Sequence, residues 1–531
     1  MIWDVLVIGS GFGGAIVGCR MAERGAKVLV LERGRWWDKV ESPGRSAYPR
    51  SIGDPWIWNQ AAPERENGWI DFRDYGQMSV VQGAAVGGGS LIYANISTEA
   101  PRQAFGSGWP AELTYAELKP HYDRVAKFMN VGPIPHEQWT RRMQLMDEAA
   151  TAIGEAARFQ PLDLAVSFDP AWRYDPNGST EQVAHSKRFI NAQGVEQGTC
   201  VHLGNCDIGC EADAKNTLDR NYIPWGIQHG MEVRPLHIAR TIEPMPGGGY
   251  VVQFDRIQGG ELIPGEEMAR QVVISAGSLG STELLLRCRD EFGSLPQLSP
   301  RLGQQWCGNG DFLTPAFYPQ RAPLNPSQGP TISSAINFLD GSQGERFWIE
   351  DGGFPNLLVD QAKALSQRRF RHFRAKLLVE LVQQLLRSHP EPFPHVMPWF
   401  AQGMDRAEGV MSLRRRWWLF GKRRLHLDWG IESAEGVEDA IIAMHKRLTE
   451  ATGGSFHAPV NWNQVHHLVT PHPLGGCPMG SSAADGVVDH RGRVFGHEGL
   501  FVADGAIIPR ALGVNPSRTI GALAERIASL M

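Results

Sequence analysis

Asp4 to Ile8 (DVLVI) is a short apolar run of the kind that forms a buried parallel strand, and it leads into Gly9-Ser10-Gly11-Phe12-Gly13-Gly14. The turn fits G-x-G-x-x-G at Gly9, Gly11 and Gly14. A helical stretch, Ala15 to Arg24, follows, then Gly25, then a second apolar strand, Lys27 to Leu31, that ends at Glu32. Each part has a physical task. Gly9 permits the tight turn, Gly11 lets backbone approach a pyrophosphate, and Gly14 lets the helix pack closely on the strand. The helix amino terminus offers free N–H groups and a positive dipole end to phosphates. Glu32 falls close to the spacing of about 20 residues at which an acid meets ribose hydroxyls. Such an acid disfavours a 2′-phosphate, and hence NADP. The pattern predicts a doubly wound, Rossmann-like α/β unit. By itself it does not separate FAD from NAD.

The rest of the sequence bounds what this unit is attached to. A chain of 531 residues is too long for one simple core, so two or three domains are expected. A formal net charge of -5 gives no reason to expect nucleic acid as a partner. No basic region or cleavage site precedes the first strand, and no window reaches the ~18 apolar residues of a membrane span. A cytoplasmic, soluble protein is the expectation. Its seven cysteines do not suggest a disulfide framework.

Four later segments carry a more specific signal. Residues 83–95 read GAAVGGGSLIYAN, 272–286 VVISAGSLGSTELLL, 472–480 HPLGGCPMG and 500–525 LFVADGAIIPRALGVNPSRTIGALAE. With the first turn, and in this order, they resemble the glucose–methanol–choline (GMC) oxidoreductases, in particular the bacterial cholesterol-oxidase branch. The resemblance implies FAD as cofactor. It implies that the loop of Gly88, Ser90 and Asn95 lies along the flavin and its diphosphate. The turns Ala276-Gly277 and Asp504-Gly505 would also lie close to FAD, and Val233 near the adenine.

The resemblance also implies the chemistry. Oxidising an alcohol needs a base within about 2.6–3.2 Å of the hydroxyl oxygen while hydride leaves the carbon. His472, the histidine of HPLGGC, matches the family's base, and an unperturbed pKa of about 6.5 suits that task. Asn515 would share the hydroxyl position by donating its amide N–H₂. Pro516 begins a helix, Ser517 to Ser529, whose amino terminus would point at the flavin and stabilise negative charge there. Glu350, in a loop ahead of Pro355, is the nearest match to the glutamate that cholesterol oxidases carry in the substrate cavity, although Gly352 and Gly353 depart from that pattern.

Cys200, Cys206 and Cys210 have the spacing C-x5-C-x3-C, which resembles the loop that holds a three-iron (3Fe-4S) cluster in bacterial FAD sugar dehydrogenases. A fourth cysteine found in many relatives falls here on Leu203, which argues against a four-iron cluster. With a cluster the enzyme is a dehydrogenase with an external acceptor. Without one, oxygen, a quinone or a redox protein stays open.

These readings divide the chain into an FAD-binding unit (1–110, 191–300 and 465–531) and an α+β substrate unit (111–190 and 301–464). Helical patterns recur in the latter, as in Ala364 to Arg387 and Val437 to Thr452. Residues 366–424 are basic and aromatic, a composition that suits either peripheral contact with an anionic membrane or a solvated helix face over core tryptophans. The expected function is FAD-dependent oxidation of the CH–OH group of a hydrophobic, steroid-like alcohol. The alternatives are a sugar or polyol dehydrogenase and, from another class, a flavin-binding lyase, a decarboxylase or a non-catalytic flavoprotein.

Overall fold

The computed structural model of the protein describes residues 2–37, 56–176, 182–366, 390–415, 423–457 and 467–531. Strand Ile2–Ile8 leads into helix Phe12–Glu23 and then into strand Val28–Leu31, which pairs in parallel with the first from Val5↔Val28 to Ile8↔Leu31. All four side chains of Val28–Leu31 are buried, because both faces of the strand are covered.

Distant segments complete this sheet. Strand Glu232–Arg234 lies in parallel beside Val28–Leu31. The long strand Glu261–Ile274 flanks Ile2–Ile8 on the other side, in register from Ile2↔Met268 to Ile8↔Ile274. Its far edge is shared. Residues 261–269 take the antiparallel strand Tyr250–Gln258, backed by His237–Pro244, whereas Val272–Ile274 take Leu500–Val502 in parallel. Helix Gly277–Asp290 follows Ile274, and the last helix, Ser517–Leu530, packs on Phe12–Glu23. The result is the expected doubly wound unit, built from discontinuous chain.

A second, antiparallel sheet has the order 455–456, 312–317, 396–403, 345–351, 334–343, 159–161. Its register sorts the side chains, since antiparallel partners and every second residue share a face. Leu313, Phe400 and Glu350 form one row, and Trp348 and Gln402 another, on the same face. The opposite face carries Trp399 and Gly403 and is covered by helix Glu435–Ala451: the indole of Trp399 donates to Thr449 Oγ1 at 2.9 Å. A third, four-stranded sheet ends in strand Leu468–Thr470, which delivers the chain to His472.

Helix Asn356–Ser366 starts earlier than the pattern at Ala364–Arg387 suggests, and the rest of that pattern lies outside the described residues. So does most of the basic and aromatic stretch 366–424. Arg414 and Arg415 are described, on the exposed end of strand Val410–Arg415. Among the described residues no helix is long and apolar enough to cross a membrane.

Candidate active site

His472 follows strand Leu468–Thr470 in a segment flanked by Pro471 and Pro473, and its side chain is largely buried. Its Nδ1 lies 2.7 Å from Oδ1 of Asp311, a side chain 1% exposed. Thr470 completes the arrangement: its hydroxyl donates to Asp311 Oδ2 at 2.6 Å and accepts from the His472 amide at 2.9 Å. With Nδ1 held by Asp311, Nε2 is the nitrogen left to meet a substrate. Burial alone would push His472 below its ordinary range, but the Asp311 charge and hydrogen bond outweigh it and hold the imidazole above that range.

Asp311 belongs to a turn, Cys307–Asp311, that reaches both loops of the site. Cys307 exchanges backbone hydrogen bonds with Leu474, at 3.0 and 3.1 Å. Asn309 takes the left-handed conformation (φ 59°) and grips the second loop. Its Oδ1 accepts from Leu512 and Gly513 amides at 2.8 and 3.1 Å, and its Nδ2 donates to the Val514 carbonyl at 2.9 Å. Asn515 is next in that loop, 5% exposed, and its Oδ1 is buried without a hydrogen-bond partner. An unpartnered buried amide oxygen is costly, so it marks a place where another group completes the site.

Glu350 differs from expectation in one respect. It lies in strand Glu345–Asp351 rather than in a loop, and it is fully buried. It accepts from the Trp348 indole at 2.8 Å and from Gln402 Nε2 at 3.2 Å. Burial pushes its carboxyl up to about 7 against the lowering effects of those donors and of His472, so Glu350 stands within electrostatic reach of the imidazole. The Phe400 ring, on the same sheet face, lies 6.4 Å from that of His472.

The glycine turns meet each other. A Cβ at Gly88 would come within 2.6 Å of Gly11 Cα, and one at Gly14 within 1.9 Å of the Gly9 carbonyl oxygen. Ser10 joins the two loops: its hydroxyl donates to Glu32 Oε2 at 2.7 Å and accepts from the Gly87 amide at 3.1 Å. Glu32 also accepts from the Ser10 and Gly34 amides, both at 2.9 Å, and its backbone N–H donates to Arg234, next to Val233. Ser90 Oγ donates to the Gly87 carbonyl and accepts from the Leu218 amide. Asp504 ties the two later turns together, accepting from the Gly277 and Ala506 amides at 2.8 Å each. Asn95 is fully buried with both amide atoms unpartnered.

A cholesterol oxidase of Acinetobacter baumannii is 30% identical to the chain in an alignment that covers 99% of this chain and 94% of that protein. The chain belongs to the GMC oxidoreductase family. The family model described as GMC oxidoreductase matches residues 419–524. A cholesterol oxidase of Mycobacterium tuberculosis is 28% identical, covering 99% of this chain and 91% of the relative. A long-chain-alcohol oxidase of Arabidopsis thaliana is 24% identical, covering 99% and 67%. Among solved structures, pyridoxine 4-oxidase from Mesorbium loti shares the fold, with a TM-score of 0.60 at 16% identity and 99% of each chain covered.

Members of the GMC family bind FAD, and the residues here fit such a group. Asn95 and Asn515 hold unpartnered buried atoms, and neither helix Phe12–Glu23 nor helix Ser517–Leu530 has a side chain capping its amino terminus.

The cysteine loop gives a different result from the one its spacing suggests. Cys200 and Cys206 are buried and Cys210 nearly so, and all three thiols are free. Among the described residues no group of three or more His, Cys, Asp or Glu side chains is arranged to hold a metal ion. The loop is braced by protein instead. Lys215 Nζ donates to the carbonyls of Cys206 and Leu91 at 2.6 and 2.9 Å, and Cys210 Sγ accepts from the Ala214 amide at 3.4 Å. Lys215 thus ties the backbone at Cys206 to that at Leu91, within the loop 83–95.

Of the residues that build the site, the sequence reading missed Asp311, Asn309, Thr470, Trp348 and Gln402. Asn309-Gly310-Asp311 lies close to residue 301, where the second part of the substrate unit is expected to begin. The signal available was turn chemistry, Asn-Gly followed by an acid.

Proposed function

We propose that this GMC oxidoreductase oxidises the CH–OH group of a hydrophobic, steroid-like alcohol, with His472 as base. The observation that carries the reading is the buried Asp311–His472 pair, which fixes the imidazole with Nε2 free. FAD, when bound, supplies the acceptor of the hydride that leaves the carbinol carbon. His472 Nε2 takes the hydroxyl proton, and Asp311 holds Nδ1–H and balances the imidazolium charge. The Asn515 amide donates to the same oxygen. Glu350, buried on the sheet face that carries Phe400 and Trp348, acts on the imidazole through its charge. Pyrophosphate would rest on the Gly9–Gly14 turn and the Gly88–Ser90 loop, with Glu32 and Val233 at the adenosine end. Asn95, Ala276, Gly277, Asp504, Gly505 and Pro516 would surround the flavin.

The names of the relatives, cholesterol oxidase and long-chain-alcohol oxidase, support an apolar alcohol. They also favour oxygen as the first acceptor to test. Among the described residues no group is arranged to hold a metal ion, so protein purified without air is expected to carry flavin and no stoichiometric iron. The function is tested by mixing the oxygen-free holoenzyme with 3β-hydroxysterols, long-chain primary alcohols and aldoses and following the flavin absorbance. Sterol is expected to bleach the flavin fastest. Faster bleaching by sugars would replace the substrate assignment, and no bleaching by any alcohol would remove the proposed activity.

A further inference from the structure

Both candidate catalytic loops are set by the turn Cys307–Asp311, and the turn itself is supported from behind. Gly310 is pressed against Gly403: a Cβ at Gly310 would meet Gly403 N and O at 2.6 Å, and the Gly403 amide donates to the Asn309 carbonyl at 3.1 Å. A Cβ at Gly513, in the Asn515 loop, would meet Met404 Cγ at 3.1 Å. On the other side a Cβ at Gly403 would meet Val437 Cγ1 at 2.1 Å, and the Arg406 amide donates to the Ser433 carbonyl at 3.3 Å. Residues 403–406 are thus wedged between the turn, the Asn515 loop and the start of helix Glu435–Ala451. In the middle of this wedge is Asp405.

Asp405 is 7% exposed, and its Oδ1 is buried with no hydrogen-bond partner. The Gly310 and Gly308 amides and the Cys307 thiol of the turn are near enough to favour its charged form, against the larger effect of burial. Behind it Glu438 is fully buried, and neither of its carboxyl oxygens has a partner. Burying acids without a partner is costly, so their presence beside the turn calls for a reason.

We propose that Asp405 is a positioning residue of the active site, its carboxyl group holding the Cys307–Asp311 turn through which both His472 and Asn515 are set. This rests on the reading of those two residues as the groups that meet the alcohol. The electrostatics agree with it. Burial, reinforced by the charge of Asp311, pushes Asp405 up to about 8, so at neutral pH it is an uncharged acid. Asp311 and Cys307 face it from the turn and Glu438 from the helix, while the nearby Arg346 and Arg406 are exposed. Ionised, Asp405 would add a negative charge beside Asp311 with no cation to balance it.

With the turn closed, Asp405 keeps its proton up to about 8. With the turn open and wet it would lose it near the ordinary value of about 4. Between these limits each pH unit disfavours the closed turn by up to about tenfold, and above them the effect levels off.

The test uses FAD-loaded enzyme, with hydrogen exchange of residues 307–311 and 512–516 as a readout independent of substrate. D405A is expected to exchange at least about tenfold faster in both segments and to slow flavin reduction about 10²-fold, the range that misplacement of reacting groups produces. D405N, neutral and of the same shape, is expected to restore both. Protection corrected for intrinsic exchange should fall with rising pH toward 8 in the wild-type protein but not in D405N. This comparison decides the matter even where D405A does not fold. Wild-type exchange in D405A, D405N no better than D405A, or a pH series identical in wild type and D405N would each overturn the proposal. Failure of the alcohol-oxidation reading would leave the exchange result standing by itself.

Discussion

Asp311 gives His472 two things, a direction and a charge, and they can be separated. In D311N the amide oxygen can still accept from Nδ1–H, but the charge that raises the imidazole is gone. Burial then dominates and His472 falls. A base works only when neutral, so the acid limb of the rate profile lies at the His472 pKa. D311N is therefore expected to move that limb to lower pH while lowering the rate of flavin reduction about 10²-fold, since the developing imidazolium loses its counter-charge. An acid limb that stays in place would show that Asp311 does not tune His472. Replacing the imidazole by alanine in H472A should slow reduction about 10²–10⁴-fold with FAD still bound. Burial pushes Glu350 up to about 7, and its charge interacts with His472. The profile of kcat/KM should then show two ionisations on its acid side, and E350Q should leave one.

The glycines show which elements were legible in the sequence. The first turn was readable because strand, glycines, helix and acid are neighbours along the chain, and the residues around Gly9, Gly11 and Gly14 folded as that order dictates. Gly13 was not singled out, yet a Cβ there would stand 1.5 Å from the carbonyl oxygen of Ala503. That partner arrives from strand Leu500–Val502, whose place in the sheet no local pattern gives. G13A is expected to cost more than about 4 kcal/mol, because two backbones must separate, and to release FAD. A folded G13A protein with normal FAD content and an unchanged unfolding midpoint would contradict the packing described. The active site divides in the same way. His472, Asn515 and Glu350 lie in stretches with local character, whereas Asp311 meets His472 across 161 residues and carried no motif of its own. The cysteine loop is the converse case: its spacing is local and legible, yet among the described residues no group is arranged to hold a metal ion.

At the scale of the whole molecule, the first and last helices lock the dinucleotide-binding unit, and a helix from the stretch expected in the substrate unit joins them. Helix Tyr115–Phe128 lies against the last helix, with Tyr122 and Thr519 sharing a hydrogen bond of 2.9 Å. Glu525, whose side chain is 0% exposed, joins four helices. Its carboxylate accepts from Arg20 Nε and Nη2 at 2.9 and 2.8 Å, from Arg124 at 3.4 Å and from the Tyr222 hydroxyl at 2.8 Å. Arg20 also pairs with Glu23, at 2.7 Å, and lies over the Phe128 ring at 4.6 Å. Two features decide the size of the effect of removing Glu525. The arginine side chain is only 13% exposed, so water cannot replace a lost carboxylate well. Glu23 retains part of the charge balance, which places the loss at the lower end of the usual range for breaking a buried pair. E525A is therefore expected to lower stability by about 3 kcal/mol, read as a shift in the denaturant midpoint of the FAD-loaded protein. E525Q keeps an acceptor for Arg20 and Tyr222 and should lose less. Since the first and last helices separate when this contact fails, FAD retention should fall with the midpoint. A loss below about 1 kcal/mol in E525A, within the range of an exposed pair, would mean that the four helices are held by their apolar packing and not by this carboxylate.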